Sequence, residues 1–262
     1  MDLQLTGARV LVTGASKGIG LAITRAFRAE GAEVVASARR NTPELEATGA
    51  TFVPADLATP DGPRRLVETA LAADPRLDVL VNNAGGGNAP DEALRDPFGG
   101  DDEVWAATAE LNLHAAVRAT RAALPALVEA RGAVVNISSV SARLAHTSPL
   151  PYSVAKAGLN AFSRGLAEKV AGSGVRINVV TPSGTRTDLL TGQDGYGARL
   201  AATLGVEHEE LLRQLPKQTG LLTEQLIDPA EIARAVVLLA SPTMPSAIGE
   251  NWTVDGGTLK AA

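Results

Sequence analysis

Short, mostly apolar or β-branched runs alternate along the chain with longer stretches in which apolar residues return every three or four positions. The runs cover residues 8–13, 33–37, 51–55, 78–82, 133–138, 175–181 and 252–254, and their length and β-branched content read as strands. The longer stretches, 18–30, 60–73, 101–130, 151–171 and 229–240, carry the helical period. The last is signposted at its start: Asp228 can cap, Pro229 suits the first turn, and Glu231 puts an acid at the positive end of the helix dipole. Strands that alternate in this way with helices predict an α/β fold, a doubly wound parallel seven-stranded sheet with helices on both faces.

Two stretches break the rhythm. Residues 85–100 are rich in glycine and proline and read as a loop after the fourth strand. Residues 186–226 are too long for a simple connection; within them 191–197 read as a mobile segment and 206–215 as a short helix. Long insertions of this sort serve as lids or binding loops, and this one is expected to cover a substrate. At 262 residues and 45% hydrophobic content, the chain suits one large domain, 1–262, better than two.

Composition removes several classes of function. The net charge is -5 and both signs are mixed along the chain, so no basic stripe follows a phosphate backbone and nucleic acid is not an expected partner. The absence of cysteine excludes disulfides, a thiol nucleophile and cysteine-ligated zinc. His114, His146 and His208 have no metal-ligand spacing, and no metal is expected. No uncharged apolar run approaches about eighteen residues, and the N-terminus has no basic segment leading into an apolar one, so a soluble, cytoplasmic protein without a membrane partner is expected.

Candidate chemistry gathers in two places. In Thr13-Gly-Ala-Ser-Lys-Gly-Ile-Gly20 a strand ends at Thr13, and Gly14, Gly18 and Gly20 open into a helix. Backbone amides there can meet a pyrophosphate without side-chain obstruction. The spacing is Gly-x-x-x-Gly-x-Gly, not the Gly-x-Gly-x-x-Gly dinucleotide fingerprint, and glycines used only for packing would look alike. No acid stands at the end of the second strand to accept hydrogen bonds from an adenosine ribose. Arg39 is there instead and Lys17 sits inside the glycine turn, two cations able to converge on a ribose 2′-phosphate. NADP is therefore preferred over NAD as cofactor; the plainer alternative leaves Lys17, Arg39 and Arg40 as solvated surface charges.

The second place is the run around Tyr152 and Lys156, which follow Ser139 by thirteen and seventeen residues. Four apart on a helix, the two side chains lie about 6 Å apart along the axis and about 40° around it, so they share a face. A cation held there favours the phenolate and lowers a pKa that starts near ~10, which makes the tyrosine a usable acid or base. Taken alone, the spacing also suits an ordinary helix with one half-buried aromatic, and Ser138, Ser139 and Ser141 also suit ordinary turn chemistry.

Read together, these motifs resemble those of the short-chain dehydrogenase/reductase family, from about Leu5 to Asp255-Gly256-Gly257. The glycine turn, with Gly14, Ser16, Lys17, Gly18, Ile19 and Gly20, is similar to the family's cofactor turn, and Asp56-Leu57 to the pair beside the adenine. Asn82-Asn83-Ala84-Gly85 matches the segment that ends the fourth strand against the cofactor, and Leu111-Asn112-Leu113 the helical asparagine site. Asn136-Ile-Ser-Ser139 matches the serine strand, and Tyr152 with Lys156 the catalytic helix. The resemblance implies a Rossmann-like fold in which Tyr152 exchanges a proton with the substrate oxygen and Ser139 hydrogen-bonds that oxygen. It further implies that Lys156 grips the nicotinamide ribose and depresses the tyrosine pKa, and that Asn112 holds a water linking Lys156 to solvent. The family's Pro-Gly after the sixth strand is here Pro182-Ser183, with Gly184 and Thr185 replacing bulkier residues and Thr187 fitting the cofactor-binding threonine. His146, Leu150, Gly184, Thr185 and Tyr196 fall where the pocket of such enzymes forms.

The expected activity is hydride transfer between NADP(H) and a small carbonyl or secondary alcohol substrate, by a homotetramer or homodimer. A dinucleotide-sensing protein without turnover, or a dehydratase or epimerase passing through a ketone, are the competing readings.

Overall fold

The computed structural model describes residues 1–86, 90–96 and 98–260; positions 87–89 and 97 of the expected loop 85–100 lie outside the described residues. Its strands are β1 (Arg9–Thr13), β2 (Glu33–Ala38), β3 (Thr51–Pro54), β4 (Val79–Asn82), β5 (Ala133–Ile137), β6 (Arg176–Pro182) and β7 (Asn251–Val254). They form one parallel sheet in the order β3-β2-β1-β4-β5-β6-β7. Each expected strand is present with its ends shifted by no more than one residue.

The helices are α1 (Gly18–Ala29), α2 (Pro43–Glu46), α3 (Gly62–Ala73), α4 (Asp102–Ala109), α5 (Ala115–Ala130), α6 (Leu150–Val170), α7 (Asp188–Thr191), α8 (Tyr196–Leu204), α9 (His208–Gln218) and α10 (Pro229–Ala240). Because successive strand residues face opposite ways, Val10 and Val12 of β1 join one core while Leu11 joins the other. On the first face Ile23 and Phe27 of α1 pack with Ile232, Val236 and Leu239 of α10. On the second, Leu66 and Val67 of α3 pack with Ala119, Ala123 and Leu127 of α5.

Two local features fix the ends of α10. Asp228 Oδ1 accepts from the Ala230 amide at 2.8 Å and Glu231 Oε1 from the Asp228 amide at 3.4 Å, a reciprocal cap of the expected kind. At the other end Arg176 of β6, buried, donates to the carbonyls of Leu239, Ala240 and Ser241 at 2.7, 2.8 and 3.0 Å. These are orphan carbonyls of a helix terminus, and the guanidinium satisfies them in the field direction a cation prefers.

The expected helix 101–130 is divided. A π-helical turn at Glu110–His114 separates α4 from α5, with Asn112 buried inside it. The insertion 186–226 is pinched at its base, where Thr185 bridges Ile227 and the Arg186 amide reaches the Ile227 carbonyl at 2.8 Å. It holds α7, α8 and α9, so the segment read as mobile is a turn between two helices, closed by Gly195 N to Gly192 O at 3.0 Å. Helix α8 ties to the segment after β4 through Arg199–Asp91 at 3.6 Å and Arg95 to the Thr203 carbonyl at 3.4 Å. No helix among the described residues is long and apolar enough to cross a membrane.

Candidate active site

The sheet order reverses between β1 and β4, and a crevice at the carboxyl ends of such strands is where open α/β sheets bind ligands. The glycine turn stands there. Gly14 and Gly18 take φ of +65° and +56°, the left-handed region that other residues avoid. A Cβ on Gly14 would lie 2.8 Å from Ala84 Cα, one on Gly18 3.1 Å from Thr187 Cγ2, and one on Gly20 2.2 Å from the Gly14 carbonyl oxygen. The start of α1 is thus a glycine cradle packed too closely for any side chain, a bare helix start of the kind whose amides can meet a pyrophosphate.

Thr13 and Asn83 lock this turn to β4. The Thr13 hydroxyl accepts from the amides of Asn83 and Ala84, each at 3.0 Å, and Asn83 Nδ2 donates to the carbonyls of Thr13 and Gly14 at 2.9 and 3.0 Å. The Asn83 side chain and its backbone amide are therefore both spent on the protein. Lys17 and Arg39 are exposed and form no ion pair among the described residues, while the Ser16 carbonyl accepts from Thr42 at 3.0 Å. Asp56 is exposed and turned onto the Ala58 amide at 3.0 Å, and Leu57 is core.

The second cluster lies at the ends of β5 and α6. Lys156 is 4% exposed, and its ammonium donates to the Ile137 carbonyl at 2.9 Å. It sits 5.7 Å from the centroid of the Tyr152 ring. Burial pulls the Lys156 pKa down to about 8. The phenol moves the other way from expectation. Burial raises the Tyr152 pKa, a hydrogen bond with Ser139 opposes it, and the neighbouring Tyr196 phenol adds to the rise. The ammonium bonds a carbonyl, and desolvation of the phenolate is the largest effect on Tyr152. Ser139 also receives the Ser141 hydroxyl at 2.9 Å.

Asn112 closes the floor. Its Oδ1 accepts from the Gly86 amide at 2.9 Å, and Nδ2 donates to the carbonyls of Gly86 and Thr108 at 3.1 and 3.0 Å. Both amide hydrogens are used, so only one lone pair of Oδ1 remains for a water. A Cβ on Gly85 would lie 2.8 Å from that oxygen and 3.2 Å from Lys156 Nζ, so only a glycine lets both groups face one spot.

A buried polar chain missed in the sequence holds this cluster in register. Asn82 Nδ2 donates to Asn136 Oδ1 at 2.8 Å and to Thr120 Oγ1 at 2.9 Å, and Asn136 Nδ2 donates to Ser163 Oγ at 2.8 Å. Strands β4 and β5 are so pinned to α5 and to α6, the helix that bears Tyr152 and Lys156. The signal was present, since Asn82 ends one apolar run and Asn136 interrupts another, where a buried amide must find partners.

The candidate pocket residues divide. Tyr196, half-buried at the start of α8, interacts electrostatically with the Tyr152 phenol, and His146 lines a cavity beside the segment after Ser139. Leu150 opens α6. Thr185 is buried with its hydroxyl on the Ser183 carbonyl at 2.8 Å, and a Cβ on Gly184 would meet Leu226 at 3.2 Å. These two shape the neck of the insertion. Pro182 ends β6, and Thr187 packs on the glycine turn.

Comparison with known proteins agrees with this geometry. A family model described as enoyl-(acyl carrier protein) reductase matches residues 14–258. The chain is 31% identical to a 3-oxoacyl-(acyl-carrier-protein) reductase of Salmonella typhimurium, over 97% of this chain and 98% of that one. It is 32% identical to L-fucose dehydrogenase of Bos taurus, over 92% and 86%. The crystal structure of L-sorbose reductase from Gluconobacter frateurii, complexed with NADPH and L-sorbose, superposes with a TM-score of 0.87 at 30% identity and full coverage of both chains. Kinship along the whole length and a shared strand order make the chain a member of the short-chain dehydrogenase/reductase family, an oxidoreductase of carbonyl or alcohol groups that works with a nicotinamide cofactor.

Proposed function

We propose that the protein is an NADP-dependent carbonyl reductase or alcohol dehydrogenase in which Tyr152 exchanges the proton with the substrate oxygen. The observation that supports it is the meeting of a buried ammonium, the half-buried Tyr152 and a serine hydroxyl beside the glycine cradle. The nicotinamide, when bound, supplies or accepts the hydride at the substrate carbon. The remaining work belongs to side chains. Ser139 holds the substrate oxygen and steadies charge that develops on it. Tyr152, kept protonated by its burial, donates its proton to that oxygen in reduction. Lys156 and Asn112 hold the ribose side of the site across Gly85. Lys17 and Arg39 meet the 2′-phosphate, a choice supported by the NADPH held in the sorbose reductase structure.

The same reading takes the molecule as a cytoplasmic homotetramer or homodimer. Helix α4 has no buried residue, and Val154 of α6 and Trp252 of β7 are 52% and 39% exposed, surfaces suited to a second copy. Light scattering tests this.

The function is tested by NADPH oxidation against a panel of ketones and aldehydes. Tyr152→Phe is expected to lower turnover by about a thousandfold while NADP binding persists. Equal turnover by the variant rejects the mechanism.

A further inference from the structure

A cavity of about 470 Å³ opens between the segment that follows Ser139, the C-terminal end of α9 and the turn after β7. Among the described residues its ionisable lining is of one kind: Arg143, His146 and Lys260 border it, and no Asp or Glu does. The side chains of these three make no hydrogen bond or ion pair among the described residues. Of the acids nearby in sequence, Asp255 is buried and its two oxygens are spent on the amides of Gly257 at 3.0 Å and Leu259 at 2.8 Å. Glu250 lines a separate cavity that Arg143 also borders, and forms no ion pair with it. A cleft that gathers cations without a counter-charge focuses a positive field.

The cavity borders the stretch of chain that joins Ser139 to Tyr152. Arg143 and His146 stand on the link between Ser139 and Tyr152, which is fixed by Ser153 Oγ to the Ala145 carbonyl at 3.1 Å and by the Leu144 amide to the Val140 carbonyl at 2.9 Å. On the opposite wall the Thr258 hydroxyl meets Ser183 Oγ at 3.0 Å, one residue past the end of β6. Leu144 and Leu259 supply apolar lining for a carbon skeleton. A guanidinium can grip a carboxylate or phosphate with two parallel bonds, and a neutral imidazole still carries one N–H donor.

Resting on the carbonyl reductase reading, we propose that this cavity receives an anionic group of the substrate, a carboxylate or phosphate, while the carbonyl lies against Tyr152 and Ser139. The test compares 4-acetylbenzoate, 4-acetylphenyl phosphate and methyl 4-acetylbenzoate as substrates with NADPH. At least one anion is expected to exceed the ester about tenfold in kcat/KM. High salt should shrink that ratio, and the double substitution Arg143→Gln with Lys260→Gln should bring it near one. The two anions distinguish carboxylate from phosphate. An ester turned over as well as both anions overturns the proposal. If no ketone reacts, the reductase reading fails by itself, and calorimetric titration of the two anions, with and without NADP, decides the site. Binding by the natural protein that the double variant loses upholds it, and equal or absent binding overturns it.

Discussion

Lys156 invites a test in which stability and activity move in opposite directions. Its ammonium is 4% exposed and bonds the Ile137 carbonyl, and burial lowers its pKa from 10.5 to about 8. A fall of that size corresponds to about 3 kcal/mol of folded-state destabilisation at neutral pH. Lys156→Met keeps the bulk and removes the charge, while losing one hydrogen bond worth about 1 kcal/mol. The cofactor-free variant should therefore be more stable than the natural protein by about 1–2 kcal/mol at pH 7, or about 2–6 °C in Tm, with its activity gone. The sign follows from proton binding. Between pH 8 and 10.5 the unfolded chain still holds a proton that the folded one has released, so raising the pH through this window stabilises the natural protein. The variant's advantage should vanish there. The Tyr152 shift is common to both proteins and leaves the difference unchanged. Scanning calorimetry at equal protein concentration, at pH 7 and at pH 10.5, reads the outcome. A variant no more stable at pH 7, with a difference that ignores pH, would refute the claim that the buried charge strains the fold.

Three further substitutions probe other parts of the argument. Arg39→Asp should raise the KM for NADPH about 10- to 100-fold and improve the use of NADH, seen in steady-state rates with each cofactor; an unchanged NADPH KM removes Arg39 from the cofactor site. Gly20→Ala drives a Cβ to 2.2 Å from the Gly14 carbonyl oxygen, so the turn must shift, with about 1–3 kcal/mol lost in stability and NADPH binding weakened in fluorescence titration. Arg176→Met strips three buried carbonyls at the end of α10 of their donor and should cost about 3 kcal/mol in urea unfolding; a loss below about 0.5 kcal/mol means that water replaces the guanidinium.

What could be read from the sequence and what could not follow the range of the interactions concerned. The five inner strands, largely buried on both faces, need continuous apolar runs, and the partly exposed edge strands β3 and β7 keep β-branched and aromatic residues, so all seven were legible, and the start of α10 was written in Asp228, Pro229 and Glu231. The shared face of Tyr152 and Lys156 came from spacing alone, and the structure brings them together. The π turn at Glu110–His114 was not legible, because an extra residue in a helical turn leaves composition and period almost unchanged, yet it buries Asn112 against Gly86. Helices α7 and α8 are short and flanked by glycines, and they form through packing within the insertion, so local propensity does not announce them. Arg176 did leave a trace that was overlooked: a charge opening an apolar strand must find partners inside the protein. The direction of the Tyr152 shift shows the limit most clearly. Helical spacing fixes which groups are neighbours, whereas a pKa weighs that attraction against desolvation, a property of every residue packed around the pair. For Tyr152 burial wins, which holds the phenol in its protonated form.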